Sequence, residues 1–294
     1  MKVSVTFPGK LGDLIYTLPC VIQIKKKFDC QITYVTSNKC ESLIRLLEEQ
    51  DYIDKVKIDE SYQVESEDCG CQPWKMSDDA ESDVTYHLGY RREIITRWNY
   101  KRHLIDVPFD IMDECYGISL DRVKDKQYLS AGKSTYSNLV IFHGIGETIS
   151  QLMDQKTRIY MMSKWEDIIK SIDEGVEIIS KSDESSMFDF LGKKITTPFD
   201  MLSVAKIISG SKLLIGCQSV CAAIENGLNH PRLILNTFEN AVPTCDNFVM
   251  FSISEKLNNI LPRLKNKFSF IKTVNQDLNC LSTMNWGNSP IGLR

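Results

Sequence analysis

The feature that most constrains this chain is a repeated change of hydrophobic period, in which a short apolar run passes through a turn into a helical pattern. Residues 3–7 read as a strand, and Pro8, Gly9 and Gly12 mark a tight loop. From Asp13 the period changes, so that Leu14, Ile15, Leu18, Ile22 and Ile24 suit one buried helix face, which Lys25–Lys27 close near its C-terminus. Residues 31–36 predict a second strand, 41–49 a second helix, 56–58 a third strand and 84–88 a fourth, with a helical region over 91–102. This alternation implies a parallel sheet covered by helices.

The second half restarts the pattern. Strands are predicted at 139–142, 176–179, 194–196, 213–215 and 232–235, and helices at 164–172, 200–209 and 219–228. Residues 60–82 are polar and acidic and read as an irregular loop. The turn-rich stretch 124–138 reads as a linker. The expectation is an N-terminal acceptor-side domain over 1–135 and a C-terminal domain over 136–294, both Rossmann-like. The residues after 270 are expected to form a tail that crosses back to the first domain. Open α/β sheets bind ligands outside the carboxyl ends of their strands, so two facing domains would make an interdomain cleft.

A net charge of −4 gives no global basic field for nucleic acid or anionic lipid. Arg91, Arg92, Arg97, Lys101 and Arg102, with Trp98 and Tyr100 among them, form either a local basic groove or a solvated helix face. No run approaches the ~20 apolar residues of a membrane span, and the first residues read as a strand rather than a signal peptide, which points to the cytoplasm. Of ten cysteines, Cys20, Cys217 and Cys221 lie in apolar contexts and read as buried thiols. Cys69 and Cys71 have no second close Cys/His pair at zinc spacing, so reduced thiols are expected there rather than a metal site.

Gly12-Asp13-Leu14-Ile15-Tyr16-Thr17-Leu18-Pro19 resembles the G-D-x-x-x-T-L-P signature that opens heptosyltransferase-like enzymes, glycosyltransferase family 9. Further matches follow in order: 140–143 as the strand opening the donor domain, Arg158 and Trp165–Ile169, 202–208 through Gly216, and 227–231. The resemblance covers residues 1 to about 236. It implies a GT-B fold of two facing Rossmann-like domains, a nucleotide-sugar donor and an inverting transfer to an acceptor hydroxyl. The sequence departs from the family where Gln218-Ser219-Val220 replaces an Asp-Thr-Gly loop, where Ala223 stands at the place of a helix histidine, and where Phe7 stands at the place of a basic residue.

Transfer to a hydroxyl needs a base for the acceptor proton and positive charge or dipoles for the leaving diphosphate. Asp13 is the candidate base, in a loop with Gly9, Lys10 and Gly12 on the acceptor side; its alternative is an ordinary helix N-cap. Arg158 suits a diphosphate by guanidinium geometry, with Lys164 as a second cation. Ser219 and Val220 begin a helix whose free N–H groups suit an anion, and Gln218 offers an amide donor. His143 ends a strand on the cleft side, as a donor contact or a structural histidine. Glu184 is a candidate for the donor ribose. No Asp-x-Asp is present, so metal independence and no cofactor are expected; the acceptor is left open among saccharide, protein, small molecule and modified nucleic acid. The competing functions are a nucleotide-sugar epimerase or hydrolase, and a non-catalytic nucleotide-sugar binding protein.

Overall fold

The computed structural model describes residues 1–62, 76–91, 94, 104–122, 127–132, 134, 139–144, 155–180, 188–189, 191–236, 247–252 and 254–273. Two wholly parallel sheets organise them. The first has the order β3-β2-β1-β4, from β1 (Lys2–Phe7), β2 (Gln31–Thr36), β3 (Lys55–Ile58) and β4 (Val84–His87). The second has the order β10-β9-β8-β5-β6-β7, from β5 (Val140–His143), β6 (Val176–Ile179), β7 (Lys194–Thr196), β8 (Leu213–Cys217), β9 (Arg232–Asn236) and β10 (Phe248–Ser252). Central parallel strands are covered on both faces, which is why β8 reads as an unbroken apolar run and why β6 and β8 are buried throughout, Glu177 of β6 included.

The first predicted helix is two helices: α1 (Leu11–Ile15) and α2 (Leu18–Phe28). Pro19 explains the break, since it lacks an N–H and is tolerated only in a helix's first turn. Thr17 fills the gap, its hydroxyl donating to the Leu14 carbonyl at 2.7 Å and lying 2.7 Å from the Tyr34 hydroxyl. The predicted helix at 41–49 begins as a 3₁₀ segment, Asn38–Leu43, and widens into α3 (Ile44–Glu48). A helix over Asp106–Tyr116, α4, stands where none was expected, and ends on Gly117 in the left-handed region (φ 65°), where the amides of Gly117 and Ile118 cap the last carbonyls. α5 (Gln155–Lys170) starts nine residues before the predicted boundary. α6 (Met201–Gly210) and α7 (Val220–Leu228) lie within one residue of expectation, and α8 (Leu257–Lys267) follows β10. The basic segment 91–102 is described only at Arg91 and Ile94; the tail is described only as far as Thr273, where it bridges to Ile172.

Alternation along β5 sorts the core. Val140 and Phe142 face a cluster with Trp165 and Ile168 of α5, Phe251 of β10, and Ile260 and Leu264 of α8. Ile141 faces the other way, into a cluster that runs without a gap through α6 and α7 to α1, α2, α3 and the first sheet. The two sheets therefore share this second cluster, while the first belongs to the second sheet alone. The expected linker takes part in the shared cluster: Tyr128, Leu129 and Ala131 are buried. The Tyr128 and Leu129 amides both donate to the Gly227 carbonyl, at 2.9 and 3.0 Å. On the other side, Tyr52 donates to the Tyr128 carbonyl at 2.6 Å, and the Gln50 amide holds both polar atoms of the Ser130 backbone. Arg45 of α3 adds an ion pair to Asp200, the N-cap of α6, at 2.7 Å.

Candidate active site

The carboxyl ends of β1 and β5 carry the candidate residues. After β1 the chain turns through Pro8, Gly9 and Lys10 into α1, and β2 ties that turn down: Thr36, Ser37 and Cys40 donate to the carbonyls of Phe7, Pro8 and Gly9 at 2.9, 3.1 and 3.1 Å. Gly9 is buried and Lys10 exposed. Phe7 is wholly buried and meets Tyr90 edge to face, ring centroids 5.5 Å apart. Tyr90 reaches this place because β4 pairs with β1, the ladder continuing through Leu88 N–H to the Thr6 carbonyl at 2.9 Å.

Asp13 is not the N-cap. α1 begins at Leu11, its N-cap is Lys10, and no side chain caps it; Asp13 lies inside the first turn. The capping alternative therefore fails because the helix starts two residues earlier than the hydrophobic pattern implies. Burial dominates the Asp13 carboxyl, pushing it up to about 6, while the Lys10 ammonium and a Tyr90 hydrogen bond pull it down. A carboxylate that holds a proton this tightly is a stronger base than a solvated aspartate.

On the second sheet, Gln218 and Ser219 form the turn between β8 and α7, and Val220 is the first residue of α7. The two loops meet. A Cβ on Gly12 would lie 3.6 Å from the Val220 Cα and 3.7 Å from the Ala223 Cβ, so the bare Gly12 backbone packs on the first turn of α7. Ala223, small and fully buried, makes that contact possible where a larger side chain would hold α1 away. His143, at the end of β5, is partly exposed and lies with Nδ1 3.3 Å from the Ser219 hydroxyl. Lys164 is engaged elsewhere: its ammonium donates to the Glu255 carbonyl at 2.6 Å and lies over the Tyr160 ring, 5.9 Å from its centroid. Burial draws Lys164 below the usual lysine value against the pull of Asp167 and Glu255. Arg158 lies on α5, its side chain outside the described residues; Glu184, Cys69 and Cys71 lie outside them too.

Sequence reasoning missed Tyr90, and placed Gly216 only within a stretch resembling the family without giving it a role. Gly89-Tyr90 directly follows a strand end, the place where parallel sheets collect functional residues. Gly216 pairs with His143 in the β5–β8 register, and a Cβ there would sit 2.6 Å from the His143 carbonyl oxygen. That oxygen is backbone in a central strand and cannot move aside, so Gly216→Ala is expected to cost about 1–3 kcal/mol as overpacking. Urea denaturation checks this; a wild-type midpoint would show that the strands spread freely.

Cys20, Cys217 and Cys221 are buried free thiols, and burial raises both Cys20 and Cys221 well above the usual thiol value. Among the described residues no group of three or more His, Cys, Asp or Glu side chains is placed to hold a metal ion, and no helix is long and apolar enough to cross a membrane.

No protein-family model and no curated protein matches this sequence. Solved structures do match. E. coli heptosyltransferase WaaC with ADP-2-deoxy-2-fluoro heptose aligns at TM-score 0.60 and 10% identity, over 91% of this chain and 99% of its own. The family 9 glycosyl transferase from Veillonella parvula DSM 2008 aligns at 0.60 and 15% identity, over 91% and 89%. E. coli ADP-heptose lps heptosyltransferase II aligns at 0.58 and 11% identity, over 92% and 99%. At such identities the likeness is one of fold, and the fold is the heptosyltransferase-like GT-B arrangement.

Proposed function

We propose, from the premise of this heptosyltransferase-like fold, that the chain is a glycosyltransferase moving a sugar from a nucleotide-sugar donor to an acceptor hydroxyl. The observation that carries this reading is the contact of Gly12 with Val220 and Ala223, which brings the Asp13 loop against the N-terminus of α7. A proton acceptor and an anion-binding helix end then stand at one place, as transfer with departure of a diphosphate requires. In this reading Asp13 takes the acceptor proton as the hydroxyl oxygen attacks the anomeric carbon in line, inverting it, and the nucleoside diphosphate leaves. Ser219, Val220 and Gln218 hold the diphosphate, with Arg158 supplying its counter-charge. The α7 dipole and these side chains take the part a metal plays in other transferases, so turnover is expected to persist after treatment with EDTA. The boundary near residue 135 divides acceptor side from donor side.

Thermal denaturation with a panel of nucleoside diphosphates and nucleotide sugars tests the reading. A ligand at about 100 times its dissociation constant stabilises by about 2.7 kcal/mol. The expected result is stabilisation by one donor class in the wild type and in Asp13→Asn, lost in Arg158→Ala. No stabilisation by any member of the panel would remove the donor site. Conversion of the bound nucleotide sugar with no acceptor present would instead make the protein a hydrolase or epimerase.

A further inference from the structure

Ser219 sits at the N-cap of α7 with extended backbone, φ −160° and ψ −179°, yet makes no capping bond to its own helix. That backbone is where a serine ordinarily accepts from an amide two or three residues on. Asp200, in the same position on α6, does so, accepting from the Ser203 amide at 2.8 Å. The Ser219 hydroxyl pairs with His143 Nδ1 instead, at 3.3 Å. Two local features deliver the imidazole. The β5–β8 register sets His143 against Gly216, two residues before Gln218, and Gly216 lacks the side chain that would collide with the His143 carbonyl.

The shared hydrogen bond has two forms. Either the hydroxyl donates to a bare Nδ1, or a protonated Nδ1 donates to the hydroxyl oxygen. In the first form the hydroxyl proton is spent on the imidazole. In the second it is free to donate, and it is made a better donor by the bond its oxygen accepts. Phosphate oxygens only accept, so only the second form lets Ser219 contribute to holding a diphosphate.

We propose that His143 is a positioning residue for the donor: its Nδ1–H donates to the Ser219 oxygen, holding that hydroxyl away from the backbone amides of its own helix with the proton turned toward the donor diphosphate. This rests on the donor-site reading above and adds a tautomer and a partner to it.

Nitrogen-15 spectroscopy of the His143 imidazole in the ligand-free protein, with calorimetric titration of ADP, UDP and GDP, tests it. The expected spectrum has a proton on Nδ1. His143→Ala and Ser219→Ala should each weaken nucleoside diphosphate binding by roughly 10- to 100-fold, the loss of one hydrogen bond to a charged group. The double variant should be no weaker than either single one. His143→Asn, whose side-chain N–H can take the place of Nδ1–H, should recover most of the affinity, with Tm unchanged across the set. A bare Nδ1, or losses that simply add in the double variant, would overturn the proposal. A wild type that bound none of the three diphosphates would overturn the donor site itself, while the spectrum would still judge the His143–Ser219 bond separately.

Discussion

Asp13→Asn is expected to lower turnover by about 100- to 10,000-fold, the usual contribution of a general base, and at the same time to make the protein more stable at pH 8. Both effects come from one cause. Burial lifts the Asp13 carboxyl to about 6 in the fold, whereas in the unfolded chain it titrates near 4. A raised carboxyl binds its proton more tightly folded than unfolded, so the native state loses stability as pH rises through this interval. The penalty is absent below pH 4 and complete above pH 6, and amounts at most to about 3 kcal/mol. Asn keeps the shape without the charge, so the gain should appear at pH 8 and vanish at pH 4. Wild-type turnover should fall on its acid side with a midpoint near 6, where the base takes up a proton. An Asn variant that keeps its turnover would sink the base assignment; one that is less stable at pH 8 would show that the carboxylate is needed by the fold instead.

The second large effect belongs to Arg232→Ala, which should destabilise by about 3–5 kcal/mol. Arg232 is 2% exposed and Glu225 is wholly buried. The Arg232 Nε lies 3.6 Å from Glu225 Oε2, and its Nη2 donates to Asn226 Oδ1 at 2.7 Å. The guanidinium also lies over the Phe248 ring, 5.7 Å from its centroid. Removing it breaks a buried ion pair with Glu225, and the loss of one partner of such a pair accounts for most of the cost. The chain of bonds runs on, because Asn226 donates to the Tyr128 hydroxyl at 2.9 Å. Paired replacement, Arg232→Met with Glu225→Gln, should recover more than half of the loss. Denaturant titration with an unchanged slope measures both variants, and an Arg232→Ala midpoint within error of wild type would refute the assignment.

Strands were the most legible part of the chain. The expected bounds 176–179 and 194–196 are the observed ones, β-branched residues there being set off by Gly175 and Gly192 upstream. Helix starts were less legible, and at Asp13 that decided a role. Two residues of boundary separate a capping aspartate from one inside the first turn, and the hydrophobic pattern does not mark Leu11 as the start. Pro19 was a usable signal, since proline seven residues into a helix calls for a new beginning. Of the surroundings of Asp13 only Lys10 is local. Tyr90 arrives from the end of another strand, and α7 from the other sheet. Composition misled at 124–138, whose polar, turn-rich character conceals Tyr128 and Leu129 packed inside.

The shared cluster has a consequence for how this molecule comes apart. Proteins with two sheets joined by a loose linker often melt in two steps, each half surviving the loss of the other. Here α1 and α3 lie against α6 and α7 in one continuous cluster, and the connecting segment is hydrogen-bonded to both sides. Neither half has an inner surface fit to meet water by itself. Calorimetry should accordingly record one cooperative transition, and damage to either sheet, such as the loss of Arg232, should be felt in the melting of both.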